Sequence, residues 1–159
     1  MRRQQQPEPP AANPEEVIAA LVTELQRTLG DAITVEHDDS FGHARHVVMR
    51  ANGTHGCPIS IIYYYGEAII ELGPSFNGRW ELEPNVVDMD FLDQLVRGVV
   101  FGGATEVTAP GRGRVLVELP DGTNVRSTSV LAGRGCLPLP GWPRWGRRRQ
   151  YSAYGDNSG

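Results

Sequence analysis

The hydrophobic period of the chain changes near Ile33, and this change constrains the fold more than any other feature. Over residues 14–29, apolar side chains recur every three or four positions, which is the spacing of one face of an amphipathic helix. Asn13 suits the N-terminal cap of that helix, Pro14 its first turn and Gly30 its C-terminal cap. From Ile33 onward the period approaches two, with β-branched and aromatic runs separated by Gly, Asn and Pro. The sequence therefore predicts one helix followed by antiparallel strands.

Strands and turns succeed one another at short intervals after this helix. We predict strands at residues 33–37, 45–51, 58–65, 68–72 and 79–83, and a last hairpin with a weaker third strand at 105–108, 114–119 and 123–128. Between them, Asp88 is expected to cap a second helix that ends at Gly102 and Gly103. Gly66 and Glu67 are expected to form a two-residue hairpin turn. The predicted class is α+β: an antiparallel β-meander sheet with two helices packed on one face and a C-terminal β-hairpin.

Composition divides the 159 residues into three segments. Residues 1–13 hold Gln, Pro and Ala with almost no large apolar side chain, so we predict a disordered N-terminal tail. Residues 14–140 are predicted to form a single α+β domain. Residues 141–159 are predicted to be a flexible C-terminal tail containing arginine and tryptophan, because Pro138, Pro140 and Pro143 interrupt the chain beyond Ser129.

Apolar content and cysteine number indicate the compartment. No apolar stretch approaches the roughly 18–20 residues that cross a bilayer, and no apolar h-region follows the charged start of the chain. The two cysteines, Cys57 and Cys136, do not imply a disulfide framework in a chain of this length. We therefore expect a cytoplasmic protein without a membrane partner.

Charge is distributed unevenly along the chain. All fifteen basic residues are arginine, which excludes Schiff-base and P-loop chemistry by lysine. A GC-rich genome explains this bias, and a preference for bidentate donors is the functional alternative. Residues 14–140 carry a net charge of −8, and residues 141–159 carry +3. Such a domain attracts a basic partner and opposes a phosphate backbone.

Imidazole and thiolate groups gather in one short stretch, so zinc is the first metal to consider. His43 and His46 would face opposite sides of a strand, and His55 falls in a predicted turn, so no zinc-ligand spacing results. We therefore predict no metal ion and no cofactor. The donors considered are His37, His43, His46, His55 and Cys57.

No residue is assigned a catalytic role. Cys57 as a nucleophile would need a positive neighbour or a helix N-terminus, whereas Pro58 and an apolar strand follow it. Carboxylate pairs such as Glu81 and Glu83 occur in any acidic chain. The sequence favours a protein that is not an enzyme.

Three consecutive tyrosines form the most unusual local pattern. On a strand, Tyr63 and Tyr65 share one face and Tyr64 takes the other, so at least one phenol should reach the surface. The alternative is an aromatic row packed under a helix. Tyrosine is a frequent interface anchor, and the leading hypothesis is a non-enzymatic protein-binding module. The predicted contacts to a basic partner are Asp38, Asp39, Tyr64, Glu67, Glu71, Glu81 and Glu83.

In general character, a small acidic α+β domain without lysine or a catalytic motif, the chain resembles bacterial immunity proteins. Such proteins neutralise toxin enzymes by covering them. The resemblance implies a bacterial source and a basic, toxin-like protein partner.

Two other classes of function remain open. The first is a nucleic-acid-associated protein that binds through arginines interleaved with aromatic rings in its C-terminal tail. The residues concerned are Trp142, Arg144, Trp145, Arg147, Arg148 and Arg149. The second is a small enzyme or ligand-binding domain, which a deep polar pocket around His37, His46 or Glu81 would favour.

Overall fold

The computed structural model describes residues 10–156 apart from Phe41, Thr54, Phe76 and residues 131–139. Its helices are α1 (Pro14–Leu29), α2 (Val86–Arg97) and the single turn α3 (Trp142–Trp145). Its strands are β1 (Ile33–Asp38), β2 (Arg45–Ala51), β3 (Ile59–Tyr64), β4 (Glu67–Leu72), β5 (Gly78–Leu82), β6 (Ala104–Ala109), β7 (Arg112–Glu118), β8 (Asn124–Val130) and β9 (Arg147–Tyr151). The predicted α+β class is confirmed.

The first sheet is an antiparallel meander of five strands in the order β1-β2-β3-β4-β5. The turn between β3 and β4 lies one residue earlier than predicted. It consists of Tyr65 and Gly66, both at positive φ (47° and 91°), and β4 begins at Glu67. Positive φ at both central residues is typical of a type I′ turn, whose twist matches that of the flanking strands.

Both long helices pack on one face of this sheet, as predicted. Strand side chains alternate between the two faces, and one set of alternate residues meets the apolar stripes of the helices. From α1 and α2 the stripes contribute Ile18, Leu21, Val22, Leu25, Met89, Leu92, Leu95 and Val96. From the sheet the buried set includes Ile33, Val47, Met49, Ile59, Ile61, Ala68, Ile70, Leu72 and Leu82.

The start of α2 differs from the sequence prediction. Asn85, in extended conformation, is the cap, and its side chain accepts from the backbone N–H of Asp88 at 2.9 Å. Asp88 lies inside the first turn and accepts from the N–H of Glu83 at 2.7 Å. The helix continues through a π-helical turn, Gly98–Gly102, to Gly103 at φ +83°. A Cβ at Gly103 would lie 2.2 Å from the carbonyl oxygen of Tyr151, so this position requires glycine.

The prediction of a flexible tail over residues 141–159 is wrong for most of that segment. The second sheet has the order β8-β7-β6-β9, so β9 extends the predicted hairpin by a strand from the end of the chain. Trp142, Tyr151 and Tyr154 are buried, and the Tyr154 hydroxyl donates to the carbonyl oxygen of Cys57 at 2.6 Å. These buried aromatic side chains stabilise the segment. Its one proline, Pro143, is compatible with the fold because it lies at the N-terminus of α3. Residues 157–159 lie outside the described part.

The N-terminal tail predicted over residues 1–13 is described only from residue 10 onward. There the N–H of Ala12 donates to the carbonyl of Pro84 at 2.8 Å, and that of Val86 donates to Pro10 at 3.0 Å. Residues 10–12 are thus paired with the chain just before α2. Within the described ranges, no helix combines the length and the apolar character needed to span a bilayer.

The two sheets share one core. Val115 and Val117 of β7 belong to the same buried cluster as the helices and the first sheet. The Ser127 hydroxyl in β8 also bonds the backbone of Arg79 in β5, accepting from its N–H at 3.0 Å and donating to its carbonyl at 2.9 Å. The second sheet is therefore packed beside the β5 edge of the first.

Leu25→Ala and Leu95→Ala are each expected to lower the free energy of unfolding by about 2–5 kcal/mol, because both side chains are fully buried between the helices and the sheet. Val87→Ala on exposed α2 surface is the control and should change it by less than about 0.5 kcal/mol. Urea unfolding measures all three. Equal effects at the three positions would contradict the packing of the helices.

Tyr154→Ala is expected to cost about 3–5 kcal/mol, because it removes a buried ring and its hydrogen bond to Cys57. Trp145→Ala, in the same segment but 54% exposed, should cost less than about 1 kcal/mol. Thermal unfolding of both variants distinguishes a folded C-terminal segment from a flexible one. A negligible effect of the Tyr154 substitution would show that this segment is not part of the core.

Candidate functional site

The face of the first sheet that points away from the helices is the first candidate surface, and we call it the acidic face. Its centre carries the half-buried side chains of Val48, Ile62 and Ile69. Ile62 and Ile69 are register partners, whereas Val48 pairs with Ser60 and is the diagonal neighbour of Ile62. Charged and aromatic side chains surround this apolar centre, namely Glu36, Asp38, Arg50, Tyr64, Glu67, Glu71, Arg79, Glu81 and Glu83.

Four of the seven predicted partner contacts meet at one groove of about 460 Å³ on this face. Tyr64 lies at the end of β3, Glu67 at the start of β4, and Glu81 and Glu83 lie in or just after β5. The antiparallel register brings them together, since Tyr64 pairs with Glu67 and Ile69 with Glu81. Hairpin pairing therefore assembles the groove from residues that are 2 to 19 positions apart in the sequence.

Arg79 is the central cation of the groove. Its guanidinium lies 2.8 Å from a carboxylate oxygen of Glu71 and 3.1 Å from one of Glu81. Hydrogen bonds to Glu81 and Glu71 raise the pKa of Arg79 despite its partial burial. Glu67 and Glu83 make no ion pair with any residue in the described ranges. The groove therefore offers two carboxylates to an external cation.

The two predicted aspartates lie at the opposite edge of the same sheet. Asp38 ends β1, three strands from β4 and so about 14 Å away, and Asp39 is exposed in the following loop. The pKa of the Asp38 carboxyl lies below its ordinary value, chiefly because Ser40 donates hydrogen bonds to it. The nearby His46 imidazole lowers this pKa further. The structure thus places the predicted contacts in two groups on one side of the molecule.

A polar row on the acidic face was not predicted from the sequence. Nε2 of His46 lies 2.8 Å from Oγ of Ser60, and Asp38 is the register partner of His46. The residue types match a nucleophile, a base and an orienting acid. Ser60 is only 6% exposed, however, and its strand lies between two others that engage its backbone N–H groups. The contact between His46 and Ser60 is therefore best described as a structural hydrogen bond within the sheet.

The remaining zinc and nucleophile candidates are separated by the fold. Among the described residues, no three His, Cys, Asp or Glu side chains are grouped as a metal site requires. Cys57 is fully buried, and this burial raises the pKa of its thiol to about 12. The thiol is therefore protonated at neutral pH, which is the opposite of nucleophile activation.

Tyr65 is a surface feature that sequence reasoning missed. It is 81% exposed at the tip of the β3–β4 hairpin and has a positive φ, which is unusual for a residue other than glycine. Its ring centroid lies 5.8 Å from that of Tyr64 and 5.9 Å from that of His43. The sequence predicted that the three tyrosines alternate between the two faces of a strand. In the structure β3 ends at Tyr64, and Tyr65 is the first residue of the hairpin turn.

The second candidate surface is an arginine-lined cleft on the second sheet, which we call the arginine cleft. It has a volume of about 340 Å³ and lies beside the edge strand β9. Its lining residues are Pro74, Ser75, Glu106, Thr108, Arg147, Arg148 and Arg149.

Only three of the six residues predicted to bind nucleic acid line the cleft, namely Arg147, Arg148 and Arg149. Trp142 is buried instead, with the guanidinium carbon of Arg114 lying 5.2 Å from its ring centroid. Arg144 and Trp145 are exposed on the short helix α3. A continuous strip of stacking rings and arginines is therefore not formed.

Charge is divided between the two parts of the fold. Residues 10–102, which form the helices α1 and α2 and the first sheet, contain 14 acidic residues and five arginines. Residues 103–156, which include the four strands of the second sheet, contain four acidic residues and eight arginines. The net charge of −8 over residues 14–140 is therefore not spread evenly over the fold, because the acidic excess lies in the first sheet and its helices.

Comparisons with protein-family models, with curated proteins and with solved structures find no match for this chain. No relative therefore supplies site residues. The candidate sites are the acidic face and the arginine cleft.

Cys57 is expected to resist thiol reagents in the folded protein, because it is buried and its thiolate is scarce at pH 8. In a Cys136→Ser variant, Ellman's reagent should react with native Cys57 at least about 100-fold more slowly than with the same variant in guanidinium. Equal rates in the two conditions would contradict the buried position and reopen the question of a cysteine nucleophile.

Proposed function

We propose that this chain is a non-enzymatic protein-binding module that holds a basic protein partner on its acidic face. Its most concrete form is an immunity-type protein that neutralises a basic toxin by covering it. The observation that supports this most strongly is the meeting of Tyr64, Glu67, Glu81 and Glu83 at one groove. The same proposal places the protein in the bacterial cytoplasm, where an unpaired thiol such as Cys57 stays reduced.

The chemistry of the acidic face suits a protein partner. Its half-buried centre of Val48, Ile62 and Ile69 offers apolar surface. The acidic residues around this centre repel partners whose surface is also acidic. Tyr64 is 41% exposed, and Tyr65 beside it projects further, so the face has aromatic anchors at one end. This arrangement of an apolar centre, a polar rim and aromatic anchors is typical of protein interfaces.

The free carboxylates define what the partner must provide. Glu67 and Glu83 can each accept two parallel hydrogen bonds from an arginine, or form an ion pair with the ammonium group of a lysine. Arg79 already compensates Glu71 and Glu81, so these two add little attraction until the partner displaces it. We therefore expect Glu67 and Glu83 to carry more of the electrostatic steering than Glu81.

The size of the face indicates how far the contact extends. Five strands spaced about 4.8 Å apart, each about 20 Å long, present roughly 400 Å². A standard interface buries about 800 Å² per partner. The partner must therefore also contact the hairpin tip at Tyr65 and the loop that contains Asp39. This gives the second group of predicted contacts a place in the interface.

Charge reversal tests the proposal. Basic proteins retained by the immobilised full chain from an extract of its own cells are identified, and their binding kinetics are measured at several salt concentrations. Glu67→Lys with Glu83→Lys should slow association about tenfold and flatten its salt dependence, because the steering charges are reversed. Tyr64→Ala should mainly speed dissociation.

The matched control is Asp90→Lys with Glu118→Lys, which changes the net charge equally at exposed positions away from the acidic face. It should leave the association rate within about twofold. An equal slowing in both double variants would mean that only net charge matters, and unchanged kinetics in all variants would exclude the acidic face as the docking surface.

A further inference from the structure

We propose that the arginine cleft binds a phosphoryl group, carried either by a small phosphorylated molecule or by a nucleic acid strand. The cleft lies where β9 passes Thr108 of β6 and the turn at Pro74 and Ser75. Its volume of about 340 Å³ falls within the range of small-molecule sites. This site is separate from the acidic face, since it lies on the second sheet.

Three consecutive arginines line the cleft. Arg147, Arg148 and Arg149 are exposed, and no carboxylate among the described residues makes an ion pair with any of them. Like charges on adjacent residues repel one another, although the chain as a whole has an acidic excess. A bound anion would remove this repulsion and take up the free N–H donors.

Glu106 is the carboxylate that lines the cleft, and its oxygens are already occupied. It is 4% exposed, and the Tyr151 hydroxyl donates to its Oε2 at 2.7 Å. The side-chain amide of Asn77 donates to its Oε1 at 2.6 Å. The hydroxyl of Ser129 in turn donates to Oδ1 of Asn77 at 3.0 Å, which fixes the orientation of the amide. Glu106 is therefore a positioning residue that makes no ion pair with the arginines, and its single negative charge offsets one of their three positive charges.

What Glu106 positions is the ring of Tyr151, on which Arg149 stacks. The guanidinium carbon of Arg149 lies 5.0 Å from the ring centroid. Burial is the main cause that raises the pKa of Tyr151, and the hydrogen bond to Glu106 is the second. The phenol therefore stays protonated and remains a donor. Stacking uses the flat face of the guanidinium and leaves its in-plane N–H groups pointing outward for a ligand.

The donor set favours a phosphoryl group over a carboxylate. A single guanidinium fork satisfies the two oxygens and one charge of a carboxylate. A phosphate monoester offers three oxygens and up to two charges, which match several arginines. The hydroxyl of Ser75 at the rim adds a donor of the kind that phosphate oxygens accept, whereas that of Thr108 donates to the carbonyl of Arg147 at 3.4 Å.

The test uses the full chain with three ligands at low salt: inorganic phosphate, adenosine 5′-monophosphate and a 20-nucleotide single strand. Calorimetry and fluorescence anisotropy give the affinities. Arg147→Gln with Arg149→Gln should weaken binding at least tenfold. Arg27→Gln with Arg126→Gln, which removes two charges elsewhere, should change it less than twofold.

The source of the phosphoryl group follows from the comparison of ligands. Saturable one-to-one binding of the nucleotide, with competition by inorganic phosphate, assigns the cleft to a small molecule. Tighter binding of the single strand, with a logarithmic salt slope of about −0.7 per phosphate contact, assigns it to nucleic acid.

Three results would overturn the proposal. They are the absence of saturable binding of all three ligands, equal affinity in the arginine and control variants, and equally tight binding of citrate. Circular dichroism checks that the variants fold. If the glutamine pair does not fold, Arg147→Lys with Arg149→Lys decides, because lysine keeps the charge but not the fork. Affinity at least threefold weaker in that folded variant supports the proposal, and wild-type affinity overturns it.

Discussion

The junction of the two sheets depends on the buried carboxylate of Glu106. Its two donors come from different sheets, since Asn77 directly precedes β5 and Tyr151 ends β9. A buried carboxylate that loses a donor keeps its desolvation penalty, of about 1–3 kcal/mol or more, without compensation. The close approach also requires Gly113, because a Cβ there would lie 2.0 Å from Oδ1 of Asn77. One carboxylate thus fixes where β9 lies against the rest of the core.

The separation of charge follows from this placement. Because β9 is a strand of the second sheet, its arginines are held on one side of the molecule and do not move freely over the acidic face. The two proposed ligands, a basic protein and a phosphoryl group, would then bind to separate surfaces. A basic protein and a phosphoryl group would not compete for the same residues, and a variant can remove one function while it leaves the other intact.

Features set by neighbouring residues were predictable from the sequence. The helix α1 and the five-strand meander follow from local periodicity, and the alternation on strands anticipated that Glu81 and Glu83 share a face. The strand β9 was not predictable, because Arg147 pairs with Thr108, 39 positions away, and no local pattern encodes that pairing. The hydrogen-bonded array of Glu106, Tyr151, Asn77 and Ser129 was not predicted for the same reason, since its members come from four separate segments. The acidic groove was identified in part because hairpin partners lie close in sequence.

Amide hydrogen exchange measured by NMR at residues of β9 tests the central claim most directly, namely that the C-terminal arginines belong to the folded sheet. If β9 is held by β6 and the Glu106 array, its sheet-bonded amides should be protected to within about tenfold of those in β6 and β7. Exchange of β9 at the rate of an unstructured peptide, while β6 and β7 remain protected, would contradict this account of the second sheet and of the cleft built on it.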